Sequence, residues 1–151
     1  MLDSYAIGNK IRDLRVANQY NQDKLAEILF VSRQAVSRWE LGLTLPSVDN
    51  LIELSKIFKI SFEEILCMNE PVVIDEENIF VGHDRHFIIK KIIENKLEVD
   101  LFDVFYQFSN SERLIVLKAI KNNKIKASLP RLWVKLTPEE QKYLKNEVTI
   151  K

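Results

Sequence analysis

Ser61 with Glu64, Ser109 with Glu112, and Thr137 with Glu140 each set a hydroxyl residue three positions ahead of a glutamate, close to an apolar run. In such a pair the hydroxyl accepts the third backbone N–H of a helix and the glutamate reaches back to the cap, so each pair marks a helix start. Pro138 strengthens the third, since a proline in the first turn loses no hydrogen bond. The apolar residues between these starts recur at helical spacing. Ile7, Ile11 and Leu14 give a first helix, and Leu25, Ile28 and Leu29 a short second one. Val36 and Trp39 mark a third, behind Ser32 as a natural N-cap. Pro46-Ser47 opens a fourth with Val48, Leu51, Ile52, Ser55 and Phe58 on its face, and the Ser61 box opens a fifth through Leu66. The expected fold class is all-α. Five helices occupy residues 1–67, a seam covers 68–83, and a smaller helical domain fills 84–151.

Within the seam, Pro71 and Gly82 bracket two apolar triplets, Val72-Val73-Ile74 and Ile79-Phe80-Val81, around Asp75-Glu76-Glu77-Asn78. This pattern fits a short β-hairpin. An isolated hairpin is marginal in water, so an extended linker is the preferred reading. Beyond the seam, Ile88, Ile89, Ile92 and Ile93 form one stripe and Leu101, Phe102, Phe105 and Phe108 another. Eight of the 14 aromatic residues lie between Phe80 and Tyr143, enough for a core and for an apolar contact with a second subunit. No internal repeat is evident.

Several function classes drop out. Twenty-two Lys and Arg balance 22 Asp and Glu, which excludes a strongly basic tail that coats nucleic acid indiscriminately. The single cysteine, Cys67, permits neither an intrachain disulfide nor a cysteine zinc site. With no Lys, Arg or His beside it in sequence, it reads as a packing residue. Gly8, Gly42 and Gly82 are too scattered for a phosphate-cradling loop. His83 and His86 flank Asp84 without a clear third ligand and read as surface residues, so neither metal nor cofactor is expected. No apolar run approaches the roughly 18 residues that span a bilayer. Asp3 stands where a secretory signal would be hydrophobic, and the expected compartment is the cytoplasm. Arg113, Lys118, Lys121, Lys124, Lys126, Arg131 and Lys135 form a basic run without an acid. It reads first as a solvated face and second as a contact for DNA or an acidic partner.

The informative stretch is QDKLAEILFVSRQAVSRWELG, residues 22–42. Two short helices are joined by a tight turn around Phe30-Val31, with small Ala26 where they cross. Leu25, Val31, Val36 and Trp39 fix that crossing. The helix behind Ser32 turns Arg33, Gln34, Ser37 and Arg38 outward. Arginine bonds guanine O6 and N7 in a fork, glutamine does the same to adenine N6 and N7, and an α-helix fits the major groove.

Gln22, Leu25-Ala26, Val31-Ser32, Val36-Ser37, Trp39-Glu40, Gly42 and Pro46 resemble the phage-repressor-like helix-turn-helix proteins, the Xre family, over about residues 5–67. The resemblance implies a five-helix DNA-binding domain. It places Gln22 at the start of helix two on a backbone phosphate, and Ser32, Arg33, Gln34, Ser37 and Arg38 on the recognition helix. Arg15 and Glu40 match an internal ion pair. Two departures stand out. Phe30 occupies the turn position often held by glycine, where a left-handed backbone is costly, so a locally different turn is expected. The loop 41–46 carries no Lys or Arg, and residues 1–69 hold eight basic and nine acidic side chains, net −1. Nonspecific affinity should therefore be modest. The function expected is a sequence-specific, double-stranded-DNA-binding transcriptional regulator, a dimeric repressor on a pseudo-palindromic operator, dimerised through its C-terminal segment. The alternative is the DNA-binding antitoxin of a toxin–antitoxin pair. An enzyme is not expected: a self-cleaving repressor needs a larger β-rich domain and an Ala-Gly cleavage site, and the chain has no Ala-Gly dipeptide.

Overall fold

A computed structural model describes residues 1–146. Among them the helices are α1 Ser4–Ala17, α2 Gln22–Leu29, α3 Arg33–Glu40, α4 Val48–Phe58, α5 Phe62–Ile65, α6 Arg85–Ile93, α7 Leu101–Val104, α8 Asn110–Lys121, α9 Leu129–Leu132 and α10 Pro138–Lys145. Single 3-10 turns, Phe105–Gln107 and Trp133–Lys135, follow α7 and α9. Of the hairpin considered for the seam, the described residues show an isolated antiparallel bridge between Asp75 and Asn78. The chain divides into two compact units. The first is Met1–Val72 with Gly82–Phe87, and the second is Val73–Val81 with the chain from Ile88 onward.

Every helix of α1–α5 in the first unit has a side-chain cap. Asp3, Asn21, Ser32, Ser47 and Ser61 accept the N–H of Ala6, Lys24, Ala35, Asn50 and Glu64 in turn. Such caps contribute roughly 1 kcal/mol each, which matters for helices as short as these. Buried Ile7, Ile11, Leu25, Val36, Trp39, Leu54, Phe58 and Ile65 meet in one core. Asp3 is itself buried, and a buried carboxylate demands partners. It takes the Asp84 N–H at 3.0 Å and His83 Nδ1 at 2.7 Å. His83, expected at the surface, is therefore held inward by Asp3, while His86 is exposed.

The second unit repeats one pattern twice, a feature the sequence reading missed. Asn95 and Asn123 are left-handed residues ending α6 and α8, with φ 55° and 54°. Asp100 and Ser128 precede α7 and α9, and a 3-10 turn follows each. Ser109 with Glu112 and Thr137 with Glu140 then form complete reciprocal capping boxes. The spacing is 28 residues at every step, from 95 to 123, 101 to 129 and 109 to 137. Buried Ile92, Val104 and Phe108 correspond to buried Ile120, Leu132 and Leu136. Ile88, Ile89, Ile92, Leu101, Phe105 and Phe108 are buried and Ile93 and Phe102 half-buried, so most of the apolar surface that looked available for a subunit contact closes within the chain instead.

Much of the basic run is likewise spent inside this unit. Arg113 makes a fork to Glu140 at 2.7 and 2.8 Å and donates to the Lys135 carbonyl. Arg131 pairs with Asp100 at 2.7 Å and lies over the Phe102 ring, which also receives Lys135. Lys121 donates to the Tyr143 carbonyl and covers its ring. Arg113 and Lys121 are thus half-buried and taken up within the unit, which corrects their reading as a solvated face, whereas Arg131 and Lys135 stay exposed beside the equally exposed Asp100 and the Phe102 ring.

Candidate nucleic-acid interface

Helix α2 starts from Asn21, whose side chain caps Lys24, and ends in a left-handed residue. That residue is Phe30, at φ 54° and ψ 39°. The expectation of a different turn was wrong. Its N–H bonds the Glu27 carbonyl and the Val31 N–H bonds Ala26, which satisfies two carbonyls at the helix end. The ring is 96% exposed, so it meets no clash beyond its own backbone strain of roughly 1–2 kcal/mol. Ser32 then caps Ala35 at 3.1 Å and α3 begins.

On α3, Val36, Trp39 and Glu40 are buried, Ser37 is half-buried, and Arg33, Gln34 and Arg38 are exposed along with the capping Ser32. Positions 33, 34, 37 and 38 share one helical face. Arg33 approaches Asp23 at 3.9 Å, with both side chains about two-thirds exposed. Such a pair adds little in water and leaves the guanidinium available.

The placement of α3 rests on a polar knot. Arg15, in the last turn of α1, forks onto Glu40 at the end of α3 and donates Nη1 to the Tyr20 carbonyl at 2.8 Å. Gln22 Nε2 donates to the same Glu40 at 2.8 Å. The hydrogen bond to Glu40 holds the Arg15 guanidinium above its ordinary pKa, against desolvation. Both side chains of the pair are largely hidden, 13% and 4% exposed. Gln22, assigned by resemblance to a phosphate, thus spends its side-chain amide inside the knot; its residue still opens α2.

A second contact was not read from the sequence. Gly8, inside α1, lies against the end of α3: a Cβ there would stand 2.3 Å from the Trp39 carbonyl oxygen and 2.9 Å from that of Glu40. Glycine in a helix interior costs about 1 kcal/mol relative to alanine. Gly8 between Ile7 and Ile11 was the available signal, because that cost implies a close approach of backbone. Gly42, after α3, has φ +70° and packs on the Tyr5 backbone. The loop it opens exposes Leu41, Leu43 and Leu45.

Residues 11–65 match a family model described as helix-turn-helix. The HTH-type transcriptional activator BcrR of Enterococcus faecalis is 37% identical over 67 residues, 44% of this chain and 33% of that one. A Pyrococcus furiosus protein named for the same HTH type of transcriptional regulation is 34% identical over 96 residues, 64% of this chain and 27% of its own. The uncharacterized HTH-type transcriptional regulator YgzD of Bacillus subtilis is 34% identical over 62 residues, 41% of this chain and 94% of that one. The chain thus spans about a third or less of the first two. No solved structure matches it. No helix among the described residues is long and apolar enough to cross a membrane.

Proposed function

Because the chain belongs to the helix-turn-helix family of transcriptional regulators, we propose that it binds double-stranded DNA sequence-specifically as a dimer and represses transcription from a pseudo-palindromic operator. One observation carries this reading. The outward face of α3 offers Arg33, Gln34, Ser37 and Arg38, while its inward face is fixed by Val36, Trp39 and Glu40. A rigid helix with forked donors outward is what reading base edges requires. Ser32, at its N-terminus, and the main-chain N–H of Gln22, whose side-chain amide is held by Glu40, complete the contact set at the groove edge. Arg15 and Glu40 act through position alone.

The dimer is proposed to form through the C-terminal segment. Leu114 and Ile115 of α8, 51% and 43% exposed, offer the apolar contact there. Two half-sites about one helical turn apart then bring two copies of α3 to successive major grooves. The first unit carries little net charge, so joining two of them gains affinity through effective concentration. An antitoxin would need a segment left open to wrap its toxin, whereas residues 88–146 fold together with residues 73–81 on one core.

The test begins with DNA fragments selected by the purified protein. Arg33→Ala and Arg38→Ala should each weaken binding to the selected site by roughly 1–3 kcal/mol. An arginine on a base relaxes selectivity at one base pair; an arginine on a phosphate lowers the salt slope. Unchanged affinity in both variants refutes the assignment of α3. A reporter carrying the selected site should fall on expression of the protein, and a rise would make it an activator.

A further inference from the structure

The second unit contains an open groove of about 650 Å³ to which neither the DNA-binding face nor the family gives a use. It is lined by the two repeated connectors, which run from α6 to α7 and from α8 to α9. Asn95 ties them together by donating to the Lys124 carbonyl at 2.8 Å. Its floor is apolar: Ile92, Leu101, Ile125 and Leu132 line it and are each no more than 7% exposed. The volume falls within the 300–1,000 Å³ typical of ligand sites, and an apolar floor with a few polar groups is their usual make-up.

The polar groups around this floor narrow the ligand. Glu98 and Lys126 hold equivalent positions of the two connectors, 28 residues apart, and both line the groove. They are exposed, of opposite sign, and without an ion pair among the described residues. The remaining charges of the lining, Asp100 and Arg131, already neutralise each other at 2.7 Å. Among the described residues, the main-chain N–H and C=O groups of 97–99 and 125–127 make no intramolecular hydrogen bond. The groove thus combines an apolar floor, idle main-chain donors and acceptors on both sides, and one unmet charge of each sign on opposite connectors.

We propose that this groove binds a free short peptide with an apolar side chain. Its ammonium group faces Glu98, its carboxylate faces Lys126, its main chain pairs with the connectors, and its side chain enters the floor. A segment internal to a longer protein is disfavoured because it would bring neither terminus and leave both charges unmet. An extended peptide advances about 3.3 Å per residue, so the preferred length reports the separation of the two charges.

The experiment is an amide-resolved NMR titration of the full chain with Ala-Leu, Ala-Leu-Ala and Ala-Leu-Ala-Ala, all with free termini. Controls are N-acetyl-Ala-Leu-Ala-amide and Ala-Ser-Ala. One free length should give saturable shifts at Glu98, Val99, Lys126 and Ala127. The blocked peptide and the serine peptide should each bind at least about tenfold more weakly. Glu98→Gln and Lys126→Gln should each weaken the free peptide about fivefold, the scale of an exposed charge contact, and leave distant resonances in place. Absence of saturable shifts at these four amides for every length overturns the proposal. So does equal binding of free and blocked peptides, which would point to a segment of a partner protein instead.

Discussion

Gly8→Ala adds a single methyl group, and the structure says where it must go. The new Cβ would stand 2.3 Å from the Trp39 carbonyl oxygen, whereas a relaxed carbon–oxygen approach is about 3.3 Å or more. The end of α3 must therefore withdraw by roughly 1 Å, because the obstacle is main chain and has no rotamer to change. Val36 and Trp39 are nearly fully buried, and Glu40 is tied to Arg15 and Gln22, so the withdrawal loosens core and knot together. Overpacking of this kind costs about 1–3 kcal/mol. Replacing an interior helical glycine by alanine returns about 1 kcal/mol. A main-chain obstacle at 2.3 Å places the overpacking in the upper half of that range, about 2–3 kcal/mol, so the net loss should be about 1–2 kcal/mol, which lowers the Tm of a domain this size by roughly 5–15 °C. Thermal unfolding followed by circular dichroism measures it, with Asn9→Ala, exposed on the same helix, as a control that should hold or slightly raise the Tm. DNA affinity measured well below both transitions should also fall, because α3 is displaced in the folded protein. A Tm at or above that of the parent would refute the crossing at Gly8.

Arg15→Ala should destabilise the first unit by about 3 kcal/mol or more in urea unfolding, since it strands the buried Glu40; Arg15→Met with Glu40→Leu should recover much of that loss. Phe30→Gly should stabilise by roughly 1 kcal/mol by relieving the left-handed strain, and a loss would mean that the exposed ring has a contact in the folded chain. Burial, reinforced by Glu70, pushes the Cys67 thiol up to about 11. It should alkylate far more slowly at pH 8 in the native protein than in urea, and the native rate should keep climbing toward pH 11. Sedimentation should give a dimer for the full chain and largely monomer for residues 1–68; a dimeric fragment would move the contact to the apolar loop 41–45.

The helix starts were legible because a cap is a local device. Ser32, Ser109 and Thr137 need only the next three residues to do their work, and each opens its helix in the structure. The outward face of α3 was legible for the same reason, since Val36 and Trp39 define the opposite side within one turn. What escaped depends on residues distant in sequence. Glycine at position 8 acquires its meaning only when α3 lies across it. His83 is decided by Asp3, 80 positions away. The fate of Arg113 is decided by Glu140. The repeat escaped because its two copies keep geometry and not identity. Leu97 answers to Ile125, Val104 to Leu132 and Ser109 to Thr137, so like types but few like residues recur.

The 28-residue period also implies a rule of growth. A tandem duplication of residues 97–124 would place a second Glu112 opposite the first Arg113, where Glu140 now stands, and a second Lys124 carbonyl opposite the first Asn123, as Asn95 has now. Each copy would meet neighbours of the kind it already has, and in arrays of this sort stability follows nearest neighbours. A gene that slips by 84 nucleotides at this place lengthens the connector-lined groove by one step and leaves the helix that reads DNA untouched. A change of length by whole modules keeps these pairings, while a gain or loss of one or two residues between partners shifts contacts such as Arg113 with Glu140 out of step and leaves each local cap intact.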